Sequence, residues 1–392
     1  MEKVLFTNKE NLKWARKRSG FDFSYIYKKT GWKPEKRKIQ KWEEGSDFPT
    51  ISELRKLGEV YRCAWTLFIL KKNAKDLGFK PLEFRKIFGT DQIAPSPFLL
   101  EFLNDLKSKQ NFLIEFADTL GLRNNRLVGL CKDLDNREAV AKKIIQHTEI
   151  DMDVFWKKRT RLDGFNYLVE CLERKNIFVS LTNSHAGKVI PVEQMRGVLL
   201  NSNIAPIIGI NTKNESYGAR IFTVFHELTH LFRGDSFRGD AEVAKINFRK
   251  HFGDKNDKES FCDSVAARIL VPDSQLKKIS DPIEKDLIER ECVRLKVNHQ
   301  PLLYRMQDFG LLSQKEVGEL LKKLREDKVE LSNVQGDKKG GPDGGFLKML
   351  QNGRAFVHAV NELYFQGFVT FTQALNVLNV KAKTYRKFAE KV

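Results

Sequence analysis

Histidine, cysteine and negative charge are what this chain has little of. Seven histidines are spread over 392 residues, so two of them at a defined spacing carry information. Cys63, Cys131, Cys171, Cys262 and Cys292 are an odd number at wide spacings, with no C-x-x-C among them. That excludes a disulfide framework and reads as reduced thiols in the cytoplasm. No apolar run approaches the roughly 20 residues of a membrane span. The opening M-E-K-V-L-F-T-N-K-E carries charge where a secretory signal keeps its apolar stretch. A cytoplasmic protein without a membrane partner is therefore expected, and no internal repeat of fixed period is present. Asp and Glu number 51 against 69 Lys and Arg, a net charge of +18. A surplus that large points to a polyanionic partner, nucleic acid before a membrane surface.

Against that background one stretch stands out. Residues 220–232 read R-I-F-T-V-F-H-E-L-T-H-L-F. Ile221, Phe222, Val224, Phe225, Leu228, Leu231 and Phe232 fill it with large apolar side chains, and no Pro or Gly interrupts, which predicts a buried helix. His226 and His230 are four apart, so on a helix they share one face and can converge on one ion. Glu227 is rotated off that line, within reach of a water activated by the ion. This is the H-E-x-x-H pattern, in which zinc takes the histidines and the glutamate acts as general base. The competing reading is a pair of core histidines beside a surface glutamate. Two imidazoles and a carboxylate in so apolar a helix would be costly to bury without a common partner.

A catalytic zinc site takes three protein ligands and leaves one position for water. A third histidine in the pattern H-E-x-x-H-x-x-G-x-x-H is excluded, because Arg233 stands at its glycine and Ser236 at its histidine. The alternative is a carboxylate from a later helix. Residues 259–270, E-S-F-C-D-S-V-A-A-R-I-L, form the convincing helix nearby, ended by Pro272. Glu259 lies in its first turn and Asp263 one turn on, on the same face. Glu259 is expected to ligate, while Asp263 accepts the outer N–H of a ligand histidine and fixes its tautomer. Ala266 and Ala267 would let this helix pack close to the metal helix. Glu242, Asp254, Asp257 and His251 compete for the third position, and Glu259 is preferred by its place in the chain.

Residues 9–70 read as a run of short helices. Helix 9–18 is closed by Gly20 and helix 23–30 by Gly31. Pro34 opens helix 35–44, which Gly45 ends. Pro49-Thr50 starts helix 51–61, with Ile51, Leu54, Leu57 and Val60 or Tyr61 at helical spacing. Short helix, tight turn and basic helix within such a bundle is how a helix-turn-helix reader is built. Lys28, Lys29, Lys33, Lys36, Arg37, Lys38 and Lys41 crowd the second and third helices. The third is the expected recognition helix. Lys36, Arg37 and Gln40 are its candidates for base edges or phosphates, with Lys33 and Lys41 beside them. Residues 38–63 resemble the second half of a repressor domain of the XRE (lambda-repressor-like) family, through Trp42, Glu43, Gly45, Pro49, Thr50, Leu54 and Leu57. The second helix departs from that family, with Tyr25 and Tyr27 where small residues are usual and the usual Gln missing. A helical module that binds protein is the competing reading.

Pro95-Ser96-Pro97 marks a break. Residues 98–120 then carry an amphipathic pattern that could link or dimerise, and 136–147 a further helix. His147 reads as a surface residue. From Asp151 the texture changes to helix 163–175 and strands 177–182, 196–201 and 206–211, with a turn at Ser202-Asn203. Followed by the metal helix, these predict an α+β layer in which the sheet backs the active-site helix and an exposed edge could take an extended peptide. Arg220 reads as a structural anchor. Tyr217, Arg220, His251 and Tyr304 are candidate oxyanion donors, none preferred. Helices are expected at 284–296 and 300–309, with His299 in the turn between them. Residues 335–345, Q-G-D-K-K-G-G-P-D-G-G, are the clearest linker. Beyond it, a helical unit would have Phe346, Phe356, Val360, Leu375, Leu378 and Phe388 as its core and His358 partly buried. A break at 367–372 and the basic end 381–391 suit partner or DNA contacts.

The metal helix followed by E-S-F-C-D-S-V-A-A-R-I-L-V-P resembles the ImmA/IrrE family of metallopeptidases. Residues 194–199 and 206–211 fit as well, and the resemblance covers most of 35–310. It implies zinc held by His226, His230 and Glu259, with Glu227 as base. The family commonly has Asn where this chain has Asp263, and its members often carry an N-terminal XRE domain. The resemblance also implies a regulator, often of phage-like or mobile elements, that cleaves a transcriptional repressor or controls transcription itself.

The expectation is thus an α+β, mostly helical chain. It would comprise an XRE-like all-α helix-turn-helix bundle (1–72), a helical connector (73–150) and a zincin-like metallopeptidase domain with a small sheet and trailing helices (151–335). A Gly-rich linker (336–345) and a C-terminal helical unit (346–392) would follow. The expected function is a Zn²⁺-dependent endopeptidase acting on a protein substrate such as a repressor, with DNA bound through the N-terminal domain and a homodimer allowed. The alternative is a DNA-binding regulator or antitoxin whose zinc domain is a sensor or scaffold.

Overall fold

A computed structural model describes residues 3–4, 6–61, 63–77, 96–182, 189–192, 194–213, 216–234, 258–279, 282–332, 349 and 351–389. The expected linker 336–345, Phe346, and the competing ligands Glu242, His251, Asp254 and Asp257 lie outside them. Mostly helical, the chain carries one three-stranded sheet among the described residues. It divides into two compact units, one within Met1–Lys107 and one within Ser108–Phe237 and Asn247–Val392. The segment read as a connector, 73–150, is shared between them.

In the first unit, helices α1 (Lys9–Ser19), α2 (Phe23–Thr30), α3 (Lys38–Glu44) and α4 (Ile51–Tyr61) surround a core of Leu12, Ala15, Ile26, Ile39, Trp42, Leu54, Leu57, Tyr61 and Phe68. Asn8 and Asp22 cap α1 and α2, and Gly20, Gly31 and Gly45 close the first three helices in left-handed conformations. The third helix starts later than expected. Pro34 opens only a single 3₁₀ turn, Pro34–Lys36, and Arg37 sits at φ 45°, so the α-helix begins at Lys38. Arg37 gives that helix no side-chain cap, and the Tyr27 hydroxyl instead accepts the Ile39 N–H (3.2 Å). Tyr27 is thereby a structural replacement for a cap, which accounts for a large residue at that position. Ile51 faces solvent and Tyr61, not Val60, completes the core stripe of α4. Arg16 grips buried Glu43 through two bonds of 2.7 and 2.9 Å. Removing one partner of such a pair strands a buried charge, at a cost of about 3–5 kcal/mol.

Helix α5 (Pro97–Glu115) ends before the expected 120. Leu99, Leu100, Leu103, Leu106 and Leu113, its apolar side, are buried within the chain. The second unit continues with α6 (Arg137–Thr148), α7 (Met152–Lys157), α8 (Arg161–Glu173), β1 (Phe178–Leu181), β2 (Gly197–Leu200) and β3 (Ile207–Ile210). There follow α9 (Tyr217–Arg233), α10 (Lys258–Leu270), α11 (Asp273–Leu276), α12 (Lys285–Arg294), α13 (His299–Asp308), α14 (Gln314–Ser332), α15 (Arg354–Phe365), α16 (Phe371–Leu378) and α17 (Ala382–Ala389). His299 begins α13 and does not sit in a turn before it.

The sheet order is β1-β3-β2, with β3 parallel to β1 and antiparallel to β2. All four residues of β3 are buried, as befits a central strand covered on both faces. Each strand is shorter than predicted. Past the end of β3 the Asn211 side chain replaces the ladder, its amide donating to the carbonyls of Ile190 (3.0 Å) and Met195 (2.8 Å). The sheet lies against α9 through β2 and β3, while α8 and α10 flank the same helix. Ser216 caps α9 and Gly234, left-handed, ends it. Among the described residues no helix is long and apolar enough to cross a membrane.

The C-terminal helices share the second unit's packing. Ser180 Oγ donates to the Gln351 carbonyl (2.7 Å), and the Phe356 ring meets Phe112 edge-on at 6.0 Å. Phe356, Val360 and Leu378 are buried as expected, whereas His358 is not, its side chain being 67 % exposed beside Glu362. Helix α15 opens at Gly353, which offers no cap, and Glu173 of α8 accepts the Ala355 N–H in its place (3.2 Å). Burial pushes the Glu173 carboxyl up to about 7, against the Ala355 N–H and Arg354, which favour its ionised form. The folded state thus holds this proton more tightly than the unfolded chain. Its stabilising effect is fully present below the ordinary glutamate range and is lost as pH rises through about 7, up to about 3 kcal/mol. Glu173→Gln keeps the acceptor and removes the titration. Melting temperatures compared between mildly acidic and neutral pH should fall as pH rises for the parent alone, and parallel pH curves would refute the assignment.

Candidate metal centre

The two histidines meet because α9 is continuous across them, and Glu259 joins because α10 docks along α9 with small Ala266 and Ala267 buried. His226 Nε2 lies 3.2 Å from His230 Nε2 and 3.0 Å from Glu259 Oε2, and His230 Nε2 lies 3.3 Å from Glu259 Oε1. Bonds of about 2.0–2.1 Å to one tetrahedral ion place ligand atoms roughly 3.3 Å apart. The two nitrogens stand about that far apart and each has a Glu259 oxygen at a similar distance, so the three residues could hold a metal ion.

Asp263 completes the geometry behind His226. Its Oδ1 lies 2.9 Å from Nδ1, placed to accept the imidazole N–H, and Nε2 faces His230 and Glu259. On the far side of His230, Cys262 Sγ lies 3.5 Å from Nδ1. This contact was not anticipated from sequence, although Glu259, Cys262 and Asp263 fall at i, i+3 and i+4 on one helix face. Burial works against a charged His226, but Asp263 and Glu259 outweigh it and hold its pKa up to about 10. Burial likewise opposes ionisation of Glu259, yet hydrogen bonds from both histidines keep it well below the usual carboxylate range. Asp263→Ala should weaken metal binding by roughly 10–100-fold. A competition titration against a chromophoric chelator would measure this, and parental affinity in the variant would remove Asp263 from the site.

Glu227 is buried and projects towards β2. A β-carbon on Gly197 would collide with Thr223 Cγ2 and lie 2.6 Å from Glu227 Oε1, so only glycine lets the strand pass this close. Burial raises the Glu227 carboxyl above its ordinary range, while His226 and His230 pull it down. A carboxylate tuned upward is the better proton acceptor near neutrality. The bond from Asn211 N–H to the Arg196 carbonyl makes 196 and 211 a hydrogen-bonded pair, so Gly197 and Leu199 turn their N–H and C=O away from β3. Among the described residues no strand pairs with that outer edge. Arg220 donates to the Thr212 carbonyl (3.1 Å) and stacks on Tyr217, an anchoring role.

In the first unit Lys33, Lys36, Arg37 and Lys41 are all exposed, with Lys36 and Arg37 in the turn preceding α3 and not on the helix. Gln40 is half-buried, its side-chain carbonyl accepting the Tyr27 hydroxyl. Tyr25 donates to Glu101 (3.0 Å). No family model matches the chain, and no curated protein matches its sequence.

Proposed function

We propose that this chain is a zinc-dependent endopeptidase joined to a DNA-binding helical unit, and that its substrate is a transcriptional repressor or a related regulator. One observation carries the reading: two histidines and a carboxylate grouped as metal ligands, with a buried glutamate on the histidine helix beside a strand edge that no described strand pairs. His226, His230 and Glu259 would hold the ion, and Asp263 fixes the His226 tautomer. Zinc bound there supplies a Lewis acid that makes a water nucleophilic near neutral pH. Glu227 accepts the proton of the attacking water and returns it to the leaving amine. Gly197 and Leu199 offer backbone groups to which an extended substrate can add as a further strand, laying a peptide bond alongside Glu227. The exposed cations at Lys33, Lys36, Arg37 and Lys41 support DNA contact by the first unit.

Incubation with purified helix-turn-helix repressors, with fragment masses read by mass spectrometry, tests this reading. Cleavage should stop on chelation and return when zinc is restored. Cleavage that survives chelation refutes the metal mechanism. Full zinc loading without cleavage of any repressor moves the chain to the sensor or scaffold reading.

A further inference from the structure

The last helices carry a feature the peptidase reading does not use. Helix α16 has eight residues and is opened by a capping box in which Thr370 and Gln373 bond reciprocally. It ends at Asn379, left-handed at φ 51°. Only Asn379, Val380 and Lys381 separate it from α17, also of eight residues. A helix of this length, a left-handed residue and a link of about three residues are the build of a helix-turn-helix. In the first unit the corresponding link, from Gly31 to Arg37, is longer and contains a 3₁₀ turn.

The inner face of α17 is pinned. Tyr385 is buried, its hydroxyl donates to Asn361 Oδ1 (2.7 Å), and its ring stands edge-on to Phe371 and Tyr364. The remaining described side chains sort by charge. Lys381, Lys383 and Arg386 are exposed, and on α16 Thr372, Gln373 and Asn376 are exposed as well. From Leu363 to Ala389 the sequence contains no Asp or Glu, in a chain that has 51 of them. A solvated helical surface ordinarily mixes signs, whereas exposed cations with no acid among them complement a polyanion.

We propose that α16 and α17 form a second helix-turn-helix that binds duplex DNA, with α17 entering the groove and Lys381, Lys383 and Arg386 meeting phosphates. Exposed Thr372 and Asn376 on α16 would supply polar groups to the backbone that the first helix of such a pair crosses. This surface belongs to the second unit and needs neither the metal nor peptide hydrolysis.

The test uses the whole protein and a fluorescent mixed-sequence duplex, with binding read by anisotropy over a range of salt. The variant K381A/K383A/R386A changes only exposed side chains, and circular dichroism confirms its fold. It should bind at least about tenfold more weakly, with a log–log salt slope shallower by about two to three, as expected for three lost phosphate contacts. The variant K33A/K36A/R37A/K41A, which lacks the N-terminal cations, should retain the C-terminal contribution and lose it when the two sets are combined. Unchanged affinity and slope in K381A/K383A/R386A overturn the proposal. An equal loss on single-stranded oligonucleotide overturns the duplex assignment.

Discussion

Under the proposed mechanism, Glu227→Gln is expected to keep the metal and lose peptide hydrolysis by about 10²–10⁴-fold, the usual contribution of a general base. Glutamine matches the shape of the glutamate, so the collision that Gly197 avoids is not recreated and the fold should persist. What disappears is the ability to take a proton. Elemental analysis beside a cleavage assay separates the outcomes. A variant that retains zinc and cleaves at the parental rate removes Glu227 from the chemistry. A variant that loses zinc shows the residue to be structural for the metal.

The second large effect expected under the proposal is loss of metal binding itself. His226→Ala and Glu259→Ala should each lower metal content from about one per chain to background. Each removes a ligand atom, where Asp263→Ala removes only the partner that orients one. Their losses should therefore exceed the roughly 10–100-fold expected of that outer partner. The remaining pair in either variant leaves an edge of the donor triangle empty, and two ligands seldom retain a catalytic zinc against a chelator. Zinc retained by Glu259→Ala would place the third ligand elsewhere in the chain. Zinc retained by both would show that the ion sits at a different site.

Where the grouping of residues depended on neighbours along the chain, the sequence was legible. His226 and His230 share a face because a helix repeats every 3.6 residues, and the apolar density of residues 220–232 made that helix predictable. Glu259 and Asp263 followed from the same periodicity on α10. The left-handed closures at Gly20, Gly31 and Gly45 were readable because glycine alone takes that conformation without strain. The start of α3 was not readable. Pro34 looks like a first helical position, and only Arg37 at φ 45° and the Tyr27 hydroxyl show that the helix begins later. His358 was misplaced because helical spacing alone did not say which face of α15 the rest of the unit would cover.

Composition and local pattern by themselves determined a mostly helical chain with short-helix and strand segments and an H-E-x-x-H helix. They also placed a carboxylate helix after it in the order a metal centre needs. Tertiary structure alone decided that α10 lies along α9 at a separation that sets Glu259 within 3.0 Å of His226. It alone brought Gly197 over Glu227, Cys262 to His230, and Glu173 to the open end of α15. Each of these contacts joins residues some thirty or more positions apart. Helical and strand periodicities act over a few residues, so they fix which face a side chain occupies. Which faces meet is settled by burying those faces together in one close-packed core.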